Sequence, residues 1–228
     1  MKRSEINSII QDADAFLRQH QFHLPPFAYW TAQDWERKGP EVKEIVERGL
    51  GWDITDFGSG DYAKIGLFIF TIRNGHPNNL KTGKGKLYAE KILISDVGQI
   101  TPLHYHWTKV EDIINRGGGD LVIQLYNGNE DGSLQDTPVT VNIDGVNRTV
   151  AAGETVTLTP GESITLLPYC YHKFWGAKSR VFVGEVSLVN DDNTDNCFYE
   201  KVGRFPQIEE DSPPVHLLVN DYKRYWRG

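Results

Sequence analysis

Four residues have the types and spacing of a metal site. His104 and His106 are separated by one residue, Glu111 follows on the same segment, and His172 stands far downstream. In extended chain, side chains two apart share a face, so the two histidines can point at one ion and Glu111 can return to it across a bend. Three imidazoles and one carboxylate around a divalent ion leave a net charge of about +1, and an octahedral ion keeps two positions open for water or substrate oxygens. Mn²⁺, Fe²⁺, Zn²⁺ and Ni²⁺ all suit such ligands, whereas imidazole-rich ligation disfavours Mg²⁺ and Ca²⁺. In the other arrangement open to these residues, the three histidines hold the ion and Glu111 stands free as a general base. A lone His-x-His is ordinary on a strand; Glu111, the bracketing Gly98 and Gly118, and His172 make the metal reading specific. The remaining histidines, His20, His23, His76 and His216, have no partner spacing.

A site of this kind that moves protons needs a base and groups that bind substrate. Glu185 lies in Arg180–Leu188, where strand alternation puts Val183, Glu185 and Ser187 on one face. If that face is the interior, Glu185 is a candidate catalytic base or substrate-binding group; if not, it is a solvated charge. Lys109, between the histidines and Glu111, and Lys91, on an earlier strand, are candidates to polarise a carbonyl or bind a hydroxyl, against the reading of both as surface lysines. Trp107, Phe174 and Trp175 flank the ligands, either stacking on a substrate, Trp175 above all, or walling the pocket.

The elements that must position these residues are short strands. Ile65–Ile72, Leu87–Ile94, Asp120–Tyr126, Val139–Ile143, Asn147–Val150, Glu154–Leu158, Ser163–Leu167 and Arg180–Leu188 are β-branched or aromatic runs bounded by Gly, Asn or Pro. Such a series predicts an all-β sandwich or small barrel, with Asp144-Gly145 as a type I′ hairpin turn. Before it, Ile6, Ile9, Ile10, Ala13, Phe16 and Leu17 recur at helical spacing over Ser4–Gln19, with Ser4 as the expected N-cap. His20 to Trp35 is an aromatic, proline-containing irregular segment laid over something apolar. Thr31–Asp34 opens a helical turn, and Pro40–Arg48 predicts a helix stopped by Gly49. The expected organisation is a helical and irregular extension over 1–52, packed on the barrel or on a second subunit, and a barrel with a C-terminal tail over 53–228. Glu209–Asp211, before Pro213-Pro214, reads as a solvated face and a turn.

Composition narrows the class. The chain has 228 residues, with 24 Lys and Arg against 31 Asp and Glu, a net charge of −7. That balance, without any basic run, argues against nucleic acid and anionic membrane surfaces as partners. No stretch approaches the roughly 18 apolar residues of a membrane helix, and the first residues do not form a signal core, so a cytoplasmic location is expected. Cys170 and Cys197 are too few for a disulfide scaffold, and reduced thiols are expected.

The spacing Gly98-x5-His104-x-His106-x4-Glu111-x6-Gly118 resembles the first signature of the cupin superfamily at every position. Gly161, Pro168 and His172 resemble the second, with departures: Pro168 falls one place late, Cys170 stands where Gly is common, and Gly176 replaces the usual Asn. These departures bear on turn geometry more than on the ligand. The opening MKRSEIN, Gln21–Trp30, Asn190–Asp195 and Gly203–Pro206 add a more specific resemblance, over nearly the whole chain, to the bacterial D-lyxose ketol-isomerase family. That resemblance implies a cupin-type jelly-roll barrel, a Mn²⁺-dependent enzyme, and interconversion of D-lyxose with D-xylulose and of D-mannose with D-fructose. It also implies a homodimer and metal ligands at His104, His106, Glu111 and His172. Asp195 and Arg204 lie in the resembling text without a role that residue type or spacing supplies. The competing readings are a cupin phosphosugar isomerase, an Fe²⁺ dioxygenase with the same ligands, and a non-catalytic sugar-binding cupin.

Overall fold

The computed structural model describes residues 1–228. Helix α1 (Arg3–Gln19) forms where the apolar period predicts it, and Ile6, Ile10, Ala13 and Leu17 make its buried stripe. Its start differs from expectation. Lys2 is the N-cap, and Ser4 lies inside the first turn, its amide and hydroxyl donating to the Asp211 carboxylate. The acidic run Glu209–Asp211 is therefore not a free solvated face, because this helix start needs it. Arg3 is buried and cannot remain charged alone; it pairs with Glu210 and Asp221, each at 2.9 Å. Thr31 caps α2 (Ala32–Glu36) by accepting from the Asp34 amide. The helix expected from Pro40 is a 3₁₀ turn over Pro40–Val42 leading into a short α3 (Lys43–Glu47), and Gly49, at φ +58°, ends the run.

Twelve strands follow: β1 (Gly51–Thr55), β2 (Leu67–Asn74), β3 (Tyr88–Ser95), β4 (His104–Tyr105), β5 (Glu111–Gly128), β6 (Leu134–Gln135), β7 (Val139–Ile143), β8 (Val146–Val150), β9 (Thr155–Leu158), β10 (Ser163–Leu166), β11 (Cys170–Leu188) and β12 (Cys197–Phe198). Helix α4 (Pro77–Thr82) joins β2 to β3, and α5 (Tyr222–Tyr225) lies near the end. The strands pair antiparallel in the order β1-β2-β3-β11-β5-β10-β7-β8, with β4, β6, β9 and β12 attached to β5, β11 or one another. The fold is a cupin-type jelly-roll barrel with an N-terminal helical extension, 39% strand and 19% helix. β1 begins at Gly51, so a boundary between residues 52 and 53 falls within this strand.

The runs expected at Asp120–Tyr126 and Arg180–Leu188 are parts of much longer strands. β5 has 18 residues and β11 has 19, and the two pair along most of their length as the spine of the sheet. Gly117–Gly119, just before the strand start expected at Asp120, lies within β5 and faces a bulge of β11, where the register slips between Ala177 and Val181. Gly118 sits there at φ +90°, against the Arg180 backbone, where a Cβ has no room. Asp144 and Gly145, at φ +50° and +85°, turn β7 into β8 as the sequence predicts.

Two apolar layers share the strands. Ile113, Leu121, Ile123, Leu125, Ile164, Phe174 and Val183 fill the barrel. The α1 stripe packs on the outer face of β1–β3 through Trp52, Phe68, Phe70, Ile92 and Ile94. These first strands, covered on both faces, consequently show nearly continuous burial. Phe27 stacks on Phe70 with ring centres 5.7 Å apart, and Trp35 is buried against Tyr222. The aromatic segment is thus covered by its own chain. No helix is long and apolar enough to cross a membrane.

Candidate active site

His104 lies on β4, His106 just beyond it, and His172 on β11 directly across from His104 in the register. Their ligand atoms all fall within 4.8 Å of one another. A backbone carbonyl aims each ring from behind: His104 Nδ1 meets Pro102 O at 2.8 Å, His106 Nδ1 meets Asp195 O at 2.6 Å, and His172 Nδ1 meets Cys170 O at 3.0 Å. A carbonyl only accepts, so Nδ1 carries the proton and Nε2 keeps its lone pair for the cluster. Burial, then His172 and His106, hold the His104 pKa well below the usual imidazole value, which keeps that ring neutral as a ligand must be.

Glu111, the first residue of β5, brings Oε1 to 3.1 Å from His172 Nε2 and 3.3 Å from His106 Nε2. That oxygen is buried and has no hydrogen bond. A carboxylate oxygen facing imidazole lone pairs is an arrangement of acceptors only, which a divalent transition metal satisfies. The residues therefore fit such an ion. Burial disfavours the Glu111 charge, yet the Lys109 ammonium outweighs it and holds the carboxyl well below its usual range.

Beside this cluster stands a buried charge network. Lys109 Nζ reaches Glu111 Oε2 at 2.7 Å, Glu185 Oε1 at 2.9 Å and Asn190 Oδ1 at 3.3 Å. Burial opposes its charge, but Glu111 and Glu185 more than compensate and raise its pKa. Lys91 Nζ donates to Asn190 Oδ1 at 2.6 Å and lies 3.3 Å from the same Glu185 oxygen. Glu185 faces the interior with Val183 and Ser187, as alternation along β11 allows. Lys109, expected at the substrate, has three protons, and Glu111, Glu185 and Asn190 take all of them.

These groups line a cavity of about 470 Å³, its mouth included, whose apolar wall includes Phe57, Leu67, Ile69 and Leu93. Trp175, expected to touch substrate, is not part of it. His172 and Phe174 point inward from β11, and the same alternation carries Trp175 to the other face of the strand. Trp107 also lies outside, edge-on to Tyr105 and Tyr169. Near the second signature, burial and the Glu111 carboxylate push the Cys170 thiol up to about 12, leaving its carbonyl as the useful group.

The chain from residue 1 to 222 matches the family model described as D-lyxose isomerase. The chain belongs to that family. It is accordingly an enzyme, a sugar isomerase. It is 47% identical to the D-lyxose/D-mannose isomerase of Serratia proteamaculans, with 99% of each chain covered. It is 43% identical to the D-lyxose/D-mannose isomerase of Escherichia coli O157:H7, over 99% of this chain and 100% of that one. Among solved structures, an L-ribose isomerase variant of Acinetobacter sp. DL28 in complex with L-ribose superposes with a TM-score of 0.61 at 14% identity, covering 92% of this chain and 98% of that one. The L-ribose isomerase of Cellulomonas parahominis with L-psicose gives 0.60 at 15% identity, with the same coverage. At such identities these two speak for the barrel.

The structure also supplies residues that sequence reasoning left without a role. Asp195 accepts from the amides of Thr108 and Lys109 at 2.9 and 3.0 Å, while its own carbonyl holds His106. It therefore positions a ring of the cluster and the network lysine together. Asn190 is clamped by Asn74, whose amide nitrogen donates to its carbonyl at 2.9 Å and whose oxygen accepts from its amide at 3.0 Å. Resembling text was the only sequence signal for either, since both act from an irregular segment after β11.

Proposed function

We propose that this enzyme is a metal-dependent aldose–ketose isomerase that interconverts D-lyxose with D-xylulose and D-mannose with D-fructose through a cis-enediol. The observation that carries the reading is a buried carboxylate, Glu185, held by two lysines in the cavity that also contains the His104, His106, His172 and Glu111 cluster. Those four residues would hold the ion, Mn²⁺ in our reading, with Glu111 as ligand through Oε1. When bound, the ion would draw charge from the C1 and C2 oxygens of the sugar and so make the neighbouring carbon acidic.

Glu185 is the catalytic base. It removes the proton from C2 of the aldose and returns it to C1 on the same face, while the O2 hydroxyl proton passes to O1 across the cis-enediol, which yields the ketose. Lys109 and Lys91 approach Oε1, and Oε2 accepts no hydrogen bond from the chain, so the carboxylate still offers an oxygen to the substrate. Lys109 is a positioning residue, since it spans Glu111 and Glu185 with one ammonium group. Lys91, whose network leaves it one longer contact, 3.9 Å to Asp192, is the lysine with capacity for a sugar hydroxyl.

The protein would act as a homodimer in the cytoplasm. Tyr88, Val186 and Leu188, exposed neighbours on paired β3 and β11, offer a sheet face for the second copy. The deciding experiment follows D-lyxose and D-mannose isomerisation by metal-stripped protein before and after Mn²⁺ is restored. Turnover only with the ion supports the reading. Stoichiometric metal binding without turnover refutes it, and oxygen uptake in the same samples identifies a dioxygenase.

A further inference from the structure

The cavity wall carries polar groups that neither the cluster nor the base uses. Asp192, after β11, and Arg204, after β12, both line it. Arg204 Nη2 lies 2.6 Å from Asp53 Oδ2 and 3.1 Å from Asp192 Oδ2. Its carbonyl accepts from Thr55 Oγ1 at 2.8 Å, and its guanidinium stands 4.9 Å from the centre of the Phe205 ring. Contacts on one nitrogen and one face of a rigid planar fork set the direction of the remaining N–H groups. Nη1 is buried and has no acceptor in the chain.

Buried donors are almost always paired, so an unpaired nitrogen on a locked guanidinium that lines the cavity calls for a ligand acceptor. Thr101 Oγ1 is likewise buried, unpaired and on the wall, but a hydroxyl rotates and indicates no direction. Side-chain contacts place Arg204 relative to the chemistry. It touches Asp192, which lies 3.9 Å from Lys91, which in turn lies 3.3 Å from Glu185. Arg204 is therefore linked to the base through Asp192 and Lys91 and makes no contact with the histidines.

We propose that Arg204 binds substrate, donating from Nη1 to a hydroxyl of an unphosphorylated open-chain sugar beyond the two reacting carbons, with Asp192 accepting from a hydroxyl beside it. The position along the sugar rests on the isomerase reading, whereas the binding role does not. Charge selects the substrate class. Asp53 and Asp192 flank the single guanidinium with two carboxylates, so the subsite repels a phosphate and suits neutral hydroxyls.

The test uses Mn²⁺-loaded enzyme and Arg204→Lys, which keeps a cation between Asp53 and Asp192 but removes the second nitrogen of the fork. Calorimetry measures the binding of D-arabinitol, a non-isomerisable open-chain pentitol, and of the shorter erythritol. For D-arabinitol the Kd should rise about tenfold, with erythritol affinity and manganese content unchanged. In turnover, KM for D-lyxose should rise by a similar factor while kcat changes less than threefold. An unchanged D-arabinitol Kd, or an equal loss for both polyols, overturns the proposal. Tighter binding of D-arabinitol 5-phosphate than of D-arabinitol overturns the substrate class. If Arg204→Lys does not fold, Asp192→Ala should weaken D-arabinitol in the same way, and a retained affinity would again refute the subsite. Arg204-dependent polyol binding by an enzyme that isomerises no aldose would instead refute the isomerase reading and leave this subsite standing.

Discussion

At the scale of single residues, the proposed reading gives the three imidazoles and Glu185 separable jobs in one cavity. His172 is aimed by a carbonyl of its own strand and faces the unbonded Glu111 oxygen, so under the proposed reading its side chain would hold the ion before any substrate arrives. His172→Ala should lose metal and isomerisation together, as read by metal analysis on the purified protein and an aldose–ketose assay. Glu185 contacts lysines rather than the cluster. Glu185→Gln should keep full metal content and lose about a hundredfold or more in turnover, the usual worth of a positioned base. A variant that retained both properties would remove Glu185 from the mechanism.

At the scale of elements, α1 is joined to the C-terminal tail as well as to the barrel. Arg3, fully buried in the first turn, holds Glu210 and Asp221, and Ser4 holds Asp211. Replacing Arg3 strands the nearly buried Asp221, whereas Glu210 is partly solvated, so the loss is about 2 kcal/mol. Arg3→Met should lower unfolding stability by about that amount in urea titrations while leaving KM unchanged, since none of these residues lines the cavity. The same change in stability with a large change in KM would mean that the tail also shapes the site. Elsewhere, elements act through register. Pairing of β4 with β11 puts His104 opposite His172, and the bulge of β11 opposite Gly118 realigns that strand so that Glu185 faces inward.

For the whole molecule, stability should depend on pH through His216. Its ring stacks on Trp52 with centres 6.0 Å apart and meets Tyr29 edge-on, under the irregular segment that α1 and the tail enclose. Burial lowers its pKa, and the Trp30 carbonyl and the Asp14 charge only partly oppose this. The folded state therefore disfavours the charged ring. Above the unfolded value of 6.5 both states hold it neutral and the effect vanishes; as pH falls below that value the unfolded state takes up the proton first, and stability is lost. His216→Gln should melt with a shallower pH dependence between about pH 7 and 5 than the parent. Equal slopes in the two proteins would assign the acid sensitivity to other groups.

Much of this was legible along the chain because it depends on local spacing. The two-residue step from His104 to His106, the bend to Glu111, the alternation that places Glu185 with Val183, the Asp144-Gly145 turn and the α1 stripe are consequences of backbone period and turn chemistry alone. Other features depend on what packs against what, and a linear pattern does not encode that. Gly117–Gly119 carries turn residues yet lies within a strand, where β11 approaches too closely for side chains. Trp175 flanks a ligand in sequence but lies on the opposite face. Lys109 looks free until Glu111, Glu185 and Asn190 are seen to take its protons. Asp195, Asn190 and Arg204 reach the site from irregular segments whose conformation has no period to read, so only the closed barrel brings them to it. The residue types and spacing determined the candidate metal ligands and the class of fold, and the tertiary structure alone decided which charges meet inside the cavity.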